Sequence, residues 1–167
     1  VVFTSHRDDT AGGDTNGDGG ASTPAKGNWQ GIQVNSGGSA TIDYAVVRYG
    51  GYASSGSYAL AYVTSGGSLS LTNSTLAYSD QYGVRVAGAE TPVITGNAID
   101  YCDGYAIYIL DDSDNSPAAP VIRGNVLSHS NYPLYIGGQY LTGERTITNN
   151  TGTGNTYNAI YINSPDF

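Results

Sequence analysis

The chain has 167 residues, 39% of them hydrophobic and only 12% charged, with 24 glycines and 15 tyrosines. That is apolar material for one domain core, in a chain rich in turn and strand formers and poor in helix formers. Six Lys and Arg against 14 Asp and Glu leave a net charge of −8, which repels phosphate backbones and anionic lipid, so nucleic acid is not an expected partner. No apolar run approaches the ~20 residues of a membrane span, so no membrane insertion is expected.

In chain order, the first predicted element is a short strand at Val1-Val2-Phe3-Thr4-Ser5. The start lacks Met and a signal-peptide pattern, which predicts a processed or excised chain. A long Asp/Gly-rich loop over 6–27 follows and contains Asp14-Thr15-Asn16-Gly17-Asp18-Gly19, the first half of a D-x-N-x-D-G calcium loop. Oxygen ligands at alternate positions converge on one ion because the glycines let the chain curl. Counting twelve residues from Asp14 reaches Ala25, where a bidentate Glu would be required, so a site must borrow other donors. The expected Ca²⁺ ligands are Asp8, Asp9, Asp14, Asn16 and Asp18; the alternative is a solvated loop whose Asp and Asn side chains make Asx-turns.

From Trp29 onward an aromatic residue followed by a φ-x-φ segment recurs six times. The last residues of these segments, Val34, Val63, Val86, Ile109, Ile136 and Ile162, lie 29, 23, 23, 27 and 26 apart. A second column follows at Ile42, Leu71, Ile94, Ile122 and Ile147, and a third at Val47, Leu76, Ile99 and Leu127, with Gly152 at its fifth place. Three short strands per repeat bury a common face only when copies stack in register. The expected fold is therefore all-β: a right-handed parallel β-helix of about six coils forming one domain over 1–167, with handedness following the crossover rule. Asn97, Asn125 and Asn150, with Asn73 and Asn149 one place earlier, predict an asparagine ladder across a tight turn. Tyr49, Tyr78 and Tyr101 predict a corner aromatic stack.

The opening Phe3-Thr4-Ser5, Asp8-Asp9, Gly13 to Gly19 and Gly27-Asn28-Trp29-Gln30-Gly31-Ile32 resembles that of secreted bacterial right-handed β-helix repeat proteins. Gly96-Asn97-x-Ile99 and Gly124-Asn125-x-Leu127 are similar to the coil pattern of that superfamily, which shares its fold with pectate lyases, polygalacturonases, alginate epimerases and phage tailspikes. The resemblance implies an extracellular or cell-surface setting and dealings with polysaccharide. Fold does not fix function.

No catalytic set is expected, and the chain leans away from enzyme. Asp80 and Asp103 occupy equivalent positions, as a carboxylate dyad would, but an Asp there also caps a turn. His6 and His129 are isolated in sequence, and the lone Cys102 reads as a small core filler. The outward column Gln33, Tyr62, Arg85, Tyr108, Tyr135, Tyr161 offers a surface for sugar rings or a protein. Insertions around Asp111, Asp112 and Asp114, and around Tyr140, flank it. Both ends read as uncapped: Val1, Val2 and Phe3 as a third-column strand, and Ile160, Tyr161 and Ile162, with Phe167 beyond, as a first-column strand. The function expected is an extracellular structural subunit stacking head to tail on itself into a filament. The alternatives are a carbohydrate-binding or adhesin module cut from a longer β-helix and, more weakly, a polysaccharide lyase or hydrolase.

Overall fold

Alternation of apolar and polar residues in each repeat forms strands too short to bury a face alone, and the chain winds them into stacked coils. A computed structural model describes residues 1–52, 59–88, 91–111, 119–138 and 145–163. One strand, β1 (Val2–Phe3), precedes five full coils. These are β2 (Ile32–Val34), β3 (Ser39–Asp43) and β4 (Val46–Arg48); β5 (Ala59–Val63), β6 (Ser68–Thr72) and β7 (Thr75–Ser79); and β8 (Tyr82–Ala87), β9 (Val93–Thr95) and β10 (Ala98–Cys102). The fourth and fifth are β11 (Tyr105–Asp111), β12 (Val121–Arg123) and β13 (Val126–Ser128), then β14 (Tyr132–Gly138), β15 (Thr146–Thr148) and β16 (Thr151–Thr153), with β17 (Ile160–Asn163) after them. Sheet I stacks β1-β4-β7-β10-β13-β16, sheet II β2-β5-β8-β11-β14-β17, and sheet III β3-β6-β9-β12-β15. No helix among the described residues is long and apolar enough to cross a membrane.

The stacking register follows the three columns read from the sequence. Phe3, Val47, Leu76, Ile99, Leu127 and Gly152 pair in series through sheet I. Val34, Val63, Val86, Ile109, Ile136 and Ile162 do so in sheet II, and Ile42, Leu71, Ile94, Ile122 and Ile147 in sheet III. Leu71, Leu76, Ile94, Ile99, Ile109 and Ile122 are completely buried, each stabilising by about 1.5–3 kcal/mol relative to an exposed side chain. A one-residue slip would turn each column outward, so burial fixes the register.

Each coil turns two corners through a left-handed residue. At the sheet III to sheet I corner these are Tyr44, Asn73, Gly96, Gly124 and Asn149; after the sheet I strand they are Tyr49, Tyr78, Tyr101, His129 and Gly154. Gly is free of the Cβ penalty there, and Asn tolerates the conformation better than most residues. Asn73 and Asn149 are thus the turn residues themselves, and the ladder runs one place later. In it the N–H of Ala45 donates to Ser74 Oγ (3.0 Å), Ser74 N–H to Asn97 Oδ1 (2.9 Å), Asn97 N–H to Asn125 Oδ1 (2.9 Å) and Asn125 N–H to Asn150 Oδ1 (3.0 Å). The Nδ2 groups of Asn97, Asn125 and Asn150 donate to the carbonyls of Leu71, Ile94 and Ile122 in the coil before. Each amide therefore satisfies backbone groups of two coils that the sharp turn leaves without strand partners.

The second corner carries Ser79, Cys102, Ser130 and Asn155, with Ser130 N–H donating to Asn155 Oδ1 (2.9 Å) and Asn155 Nδ2 to Leu127 O (2.9 Å). Asn158 closes this ladder from within the chain, its Oδ1 accepting from Asn155 Nδ2 (2.9 Å). Cys102 is buried, and burial pushes its thiol up to about 12, so it is a packing residue with no thiolate at neutral pH.

Truncating Asn125 to Ala strands the Asn97 N–H and the Ile94 carbonyl, and is expected to cost about 2–4 kcal/mol in denaturant unfolding. Asn73→Gly, at an exposed left-handed position, is expected to stay within about 1 kcal/mol of wild type in the same measurement.

Candidate functional site

Three surfaces collect the residues singled out by sequence: the acidic loop, the outer face of sheet II, and the two ends of the coil stack. The loop between β1 and β2 is tied to the solenoid by Asp8. This carboxylate is 1% exposed and accepts hydrogen bonds from Thr4 Oγ1 (2.5 Å), Thr10 Oγ1 (2.6 Å) and Arg48 Nε (2.7 Å), with Arg48 Nη2 at 2.6 Å. Burial alone would raise its pKa, but the bonds from Thr10, Thr4 and Arg48 and the Arg48 charge outweigh it and hold the value below the usual one. Asp8 thus anchors the loop and is not one of the acids whose oxygens converge beyond it. Farther along, Lys26 Nζ reaches Asp103 Oδ1 at 2.5 Å, so one half of the sequence-level Asp80 and Asp103 pair is occupied by an ammonium.

Asp9, Asp14 and Asp18 converge, with one carboxylate oxygen of each lying within 4.8 Å of the others. Asp14 accepts the N–H groups of Asp18 (3.0 Å) and Gly19 (2.8 Å), and Asp18 accepts those of Gly20, Ala21 and Ser22 as well as the Ser22 hydroxyl. These are the Asx-turns of the alternative reading, present together with the convergence. Asn16 turns its amide nitrogen to Asp18 Oδ2 and Ser22 Oγ, both at 2.9 Å. Asp9 Oδ1 is buried with no hydrogen-bond partner, and burial, then the charges of Asp14, Asp18 and Asp8, raise its pKa. An all-oxygen donor set whose carboxylates repel one another suits a hard cation, which would take lone pairs that the backbone N–H groups leave free.

On sheet II the outward positions fall in register as Gln33, Tyr62, Arg85, Tyr108, Tyr135 and Tyr161, beside a second row of Tyr82, Tyr105, Tyr132 and Tyr157. Arg85 takes a ring's place in the stack, its guanidinium 4.8 Å from the centroid of Tyr62 and 5.9 Å from that of Tyr108. Tyr82 and Tyr105 lie 5.6 Å apart at 1°, Tyr82 and Tyr108 4.7 Å at 13°, and Tyr135 and Tyr161 5.1 Å at 13°. Rings lying side by side in one plane at these separations would interpenetrate, so the rings face one another. The outer surface therefore presents ring edges and hydroxyls. Burial and the neighbouring tyrosines raise the pKa of Tyr105 and Tyr108, keeping both as neutral hydrogen-bonding phenols. Asp112, Asp114, Tyr140 and Phe167 lie outside the described residues, and Asp111 ends β11.

At the ends, Phe3 (38%), Ile160 (50%) and Ile162 (56%) are exposed members of columns that are buried through the middle of the stack. Val1, Val2 and Tyr161 are exposed with them, Val2 on the outward row of sheet I that also carries the exposed Val126.

The pairing of His129 with Asp100 is a further association that the sequence did not mark. His129 Nδ1 sits 2.8 Å from Asp100 Oδ1, and its ring stacks on Tyr101 at 4.6 Å. His129 follows Leu127 by two residues, as Tyr101 follows Ile99, so the column spacing already placed it in the corner stack; Asp100 lies one coil before it.

Three parallel sheets wound coil upon coil make the molecule a β-solenoid. Residues 21–166 match the family model described as a right-handed beta helix region, and the chain belongs to that right-handed β-helix family. Comparison with curated proteins gave no match, and neither did comparison with solved structures.

Replacing Asp8 with Asn leaves Arg48 facing a neutral amide and is expected to cost about 3 kcal/mol in urea unfolding at neutral pH. Because folding lowers the Asp8 pKa below 3.8, its stabilisation is present above that value and is lost as pH falls through the folded value. Unfolding measured between pH 7 and pH 2 should therefore show a smaller acid dependence in the variant.

Proposed function

We propose that this chain is a structural β-helix subunit that works outside the cell and docks end to end on copies of itself, forming an axial assembly. The observation that carries the reading is the way the apolar columns stop. Columns sealed through the body of the solenoid are left exposed at Phe3 on one end and at Ile160 and Ile162 on the other. The Tyr157 and Tyr161 rings, 54% and 41% exposed, likewise end the aromatic stack. Edge strands present unpaired N–H and C=O groups that template another strand, and a heterologous contact of this kind propagates without closing. In a longer chain the same ends would carry neighbouring coils, and the isolated 167 residues would then form no axial polymer.

A carbohydrate contact is the second reading, supported by the tyrosine hydroxyl row of sheet II. Because the ring faces are taken up by one another, it rests on hydrogen bonding to sugar hydroxyls more than on ring stacking.

The acidic loop is proposed to bind Ca²⁺ through Asp9, Asp14 and Asp18, with the raised pKa of Asp9 supporting the need for a cation. Millimolar calcium should raise the melting temperature of the wild type but not of Asp14→Asn, with heat of binding seen in a calorimetric titration. A melting temperature indifferent to chelator, with no such heat, removes the metal.

Light scattering of the 167-residue chain should report a mass that rises with concentration, and negative-stain images should show rods one coil-section wide. Ile162→Asp, which puts a charge on the exposed end, should weaken association at least tenfold. A mass that stays monomeric at every concentration refutes end-to-end docking.

A further inference from the structure

The third column is complementary at its two ends. It begins with Phe3, the largest side chain in the series, and finishes with Gly152, which has none. Between them Val47, Leu76, Ile99 and Leu127 fill the sheet I side of the core and are at most 1% exposed. Beside the missing side chain is an open pocket of about 160 Å³, lined mainly by Leu127, Leu134, Ile147, Gly152, Ile160 and Pro133, and also by Asn150, Thr151 and Asn158. An apolar cavity of ~150 Å³ accepts benzene. Phe3 faces the same way as Val47, its register partner, yet is 38% exposed because no coil covers it.

Resting on the end-to-end reading above, we propose that this cavity is a socket for Phe3 of a second copy of the chain. If β1 of the incoming copy pairs in parallel with β16, as every sheet I strand pairs with the one before it, Val2 lies over Thr151 and Phe3 over Gly152. The same operation sets β2 of the incoming copy on β17, with Ile32 over Ile160 and Val34 over Ile162. The contact continues the interface repeated between coils throughout the molecule, joining strands in sheets I and II, and it commits the occupant to a β-strand carrying an aromatic residue in the third column. The described residues of this chain supply that strand at β1. A Leu at position 152 would refill the column from within the chain: the nearest atoms to a Cβ there are Pro133 carbons at 3.3 Å and Asn155 Nδ2 at 3.4 Å, contacts that need a few tenths of an ångström of give.

The test uses sedimentation velocity on the wild-type chain, Phe3→Ala, Gly152→Leu and an equimolar mixture of the two variants. The wild type is expected to form a ladder of oligomers, while each variant alone associates at least tenfold more weakly. The mixture should yield a one-to-one heterodimer and nothing longer, because one variant keeps the socket and the other keeps Phe3. That heterodimer also reports that both variants fold, and Gly152→Leu should melt above the wild-type monomer because it fills the cavity; Gly152→Ala gives a milder version of the same block. A wild type that never associates overturns the end-to-end reading and this inference with it. A wild type that associates while Phe3→Ala associates equally well, or a mixture that forms no heterodimer, overturns the socket alone.

Discussion

In-register stacking of parallel coils is the constraint from which the rest of this structure follows. A strand of two to seven residues cannot hold itself, and it gains partners only when the coils before and after it place the same backbone groups at the same height. The corners enforce this. Turning a chain sharply twice per coil leaves N–H and C=O groups that no strand can satisfy, and Ser74, Asn97, Asn125 and Asn150 satisfy them with side chains that span coils. A corner displaced by one residue would lose both its left-handed turn and its ladder bond, so the corners and the apolar columns select the same register.

The same stacking decides what the surface can do. Tyrosines repeated at one outward position are drawn into contact with one another by the coil spacing, which covers their faces and leaves edges and hydroxyls to solvent. Arg85 fits the row because a planar guanidinium stacks as a ring does. At the ends of the described stack Phe3, Ile160 and Ile162 are exposed, although their columns are buried elsewhere. The second corner is the exception, since Asn158 closes its ladder from within the same chain.

The long loop between the first two strands is held by a different kind of contact. Asp8 and Arg48 form an ion pair that is buried on the carboxylate side and has two threonine hydroxyls around it, so the loop packs along the solenoid wall. Trp29 completes the attachment, its indole N–H donating to the Arg48 carbonyl at 2.8 Å. The acids beyond Asp8 are thereby held together on a short tether, which is what gives Asp9 a buried oxygen beside two like charges.

Period-two alternation and the constant offsets between Val34, Ile42 and Val47, repeated at Val63, Leu71 and Leu76, determined the fold from sequence alone, because side-chain direction in a strand follows from residue number. The outward tyrosine row and the strand character of both ends were legible for the same reason. Pairings between residues remote in sequence and unlike in type were not: Asp8 with Arg48, Lys26 with Asp103 and Asp100 with His129 depend on where an irregular loop lands and which rotamer a neighbouring coil allows. The ladder shows the boundary most clearly. Sequence marked asparagines at two adjacent positions, and only the backbone turning through positive φ at Asn73 and Asn149 separated turn residues from those that bond across coils. Likewise Gly152 was visible as a gap in a column, but whether the chain collapses into such a gap or leaves it open is settled by packing, and here Leu134, Ile147 and Ile160 line it without closing it.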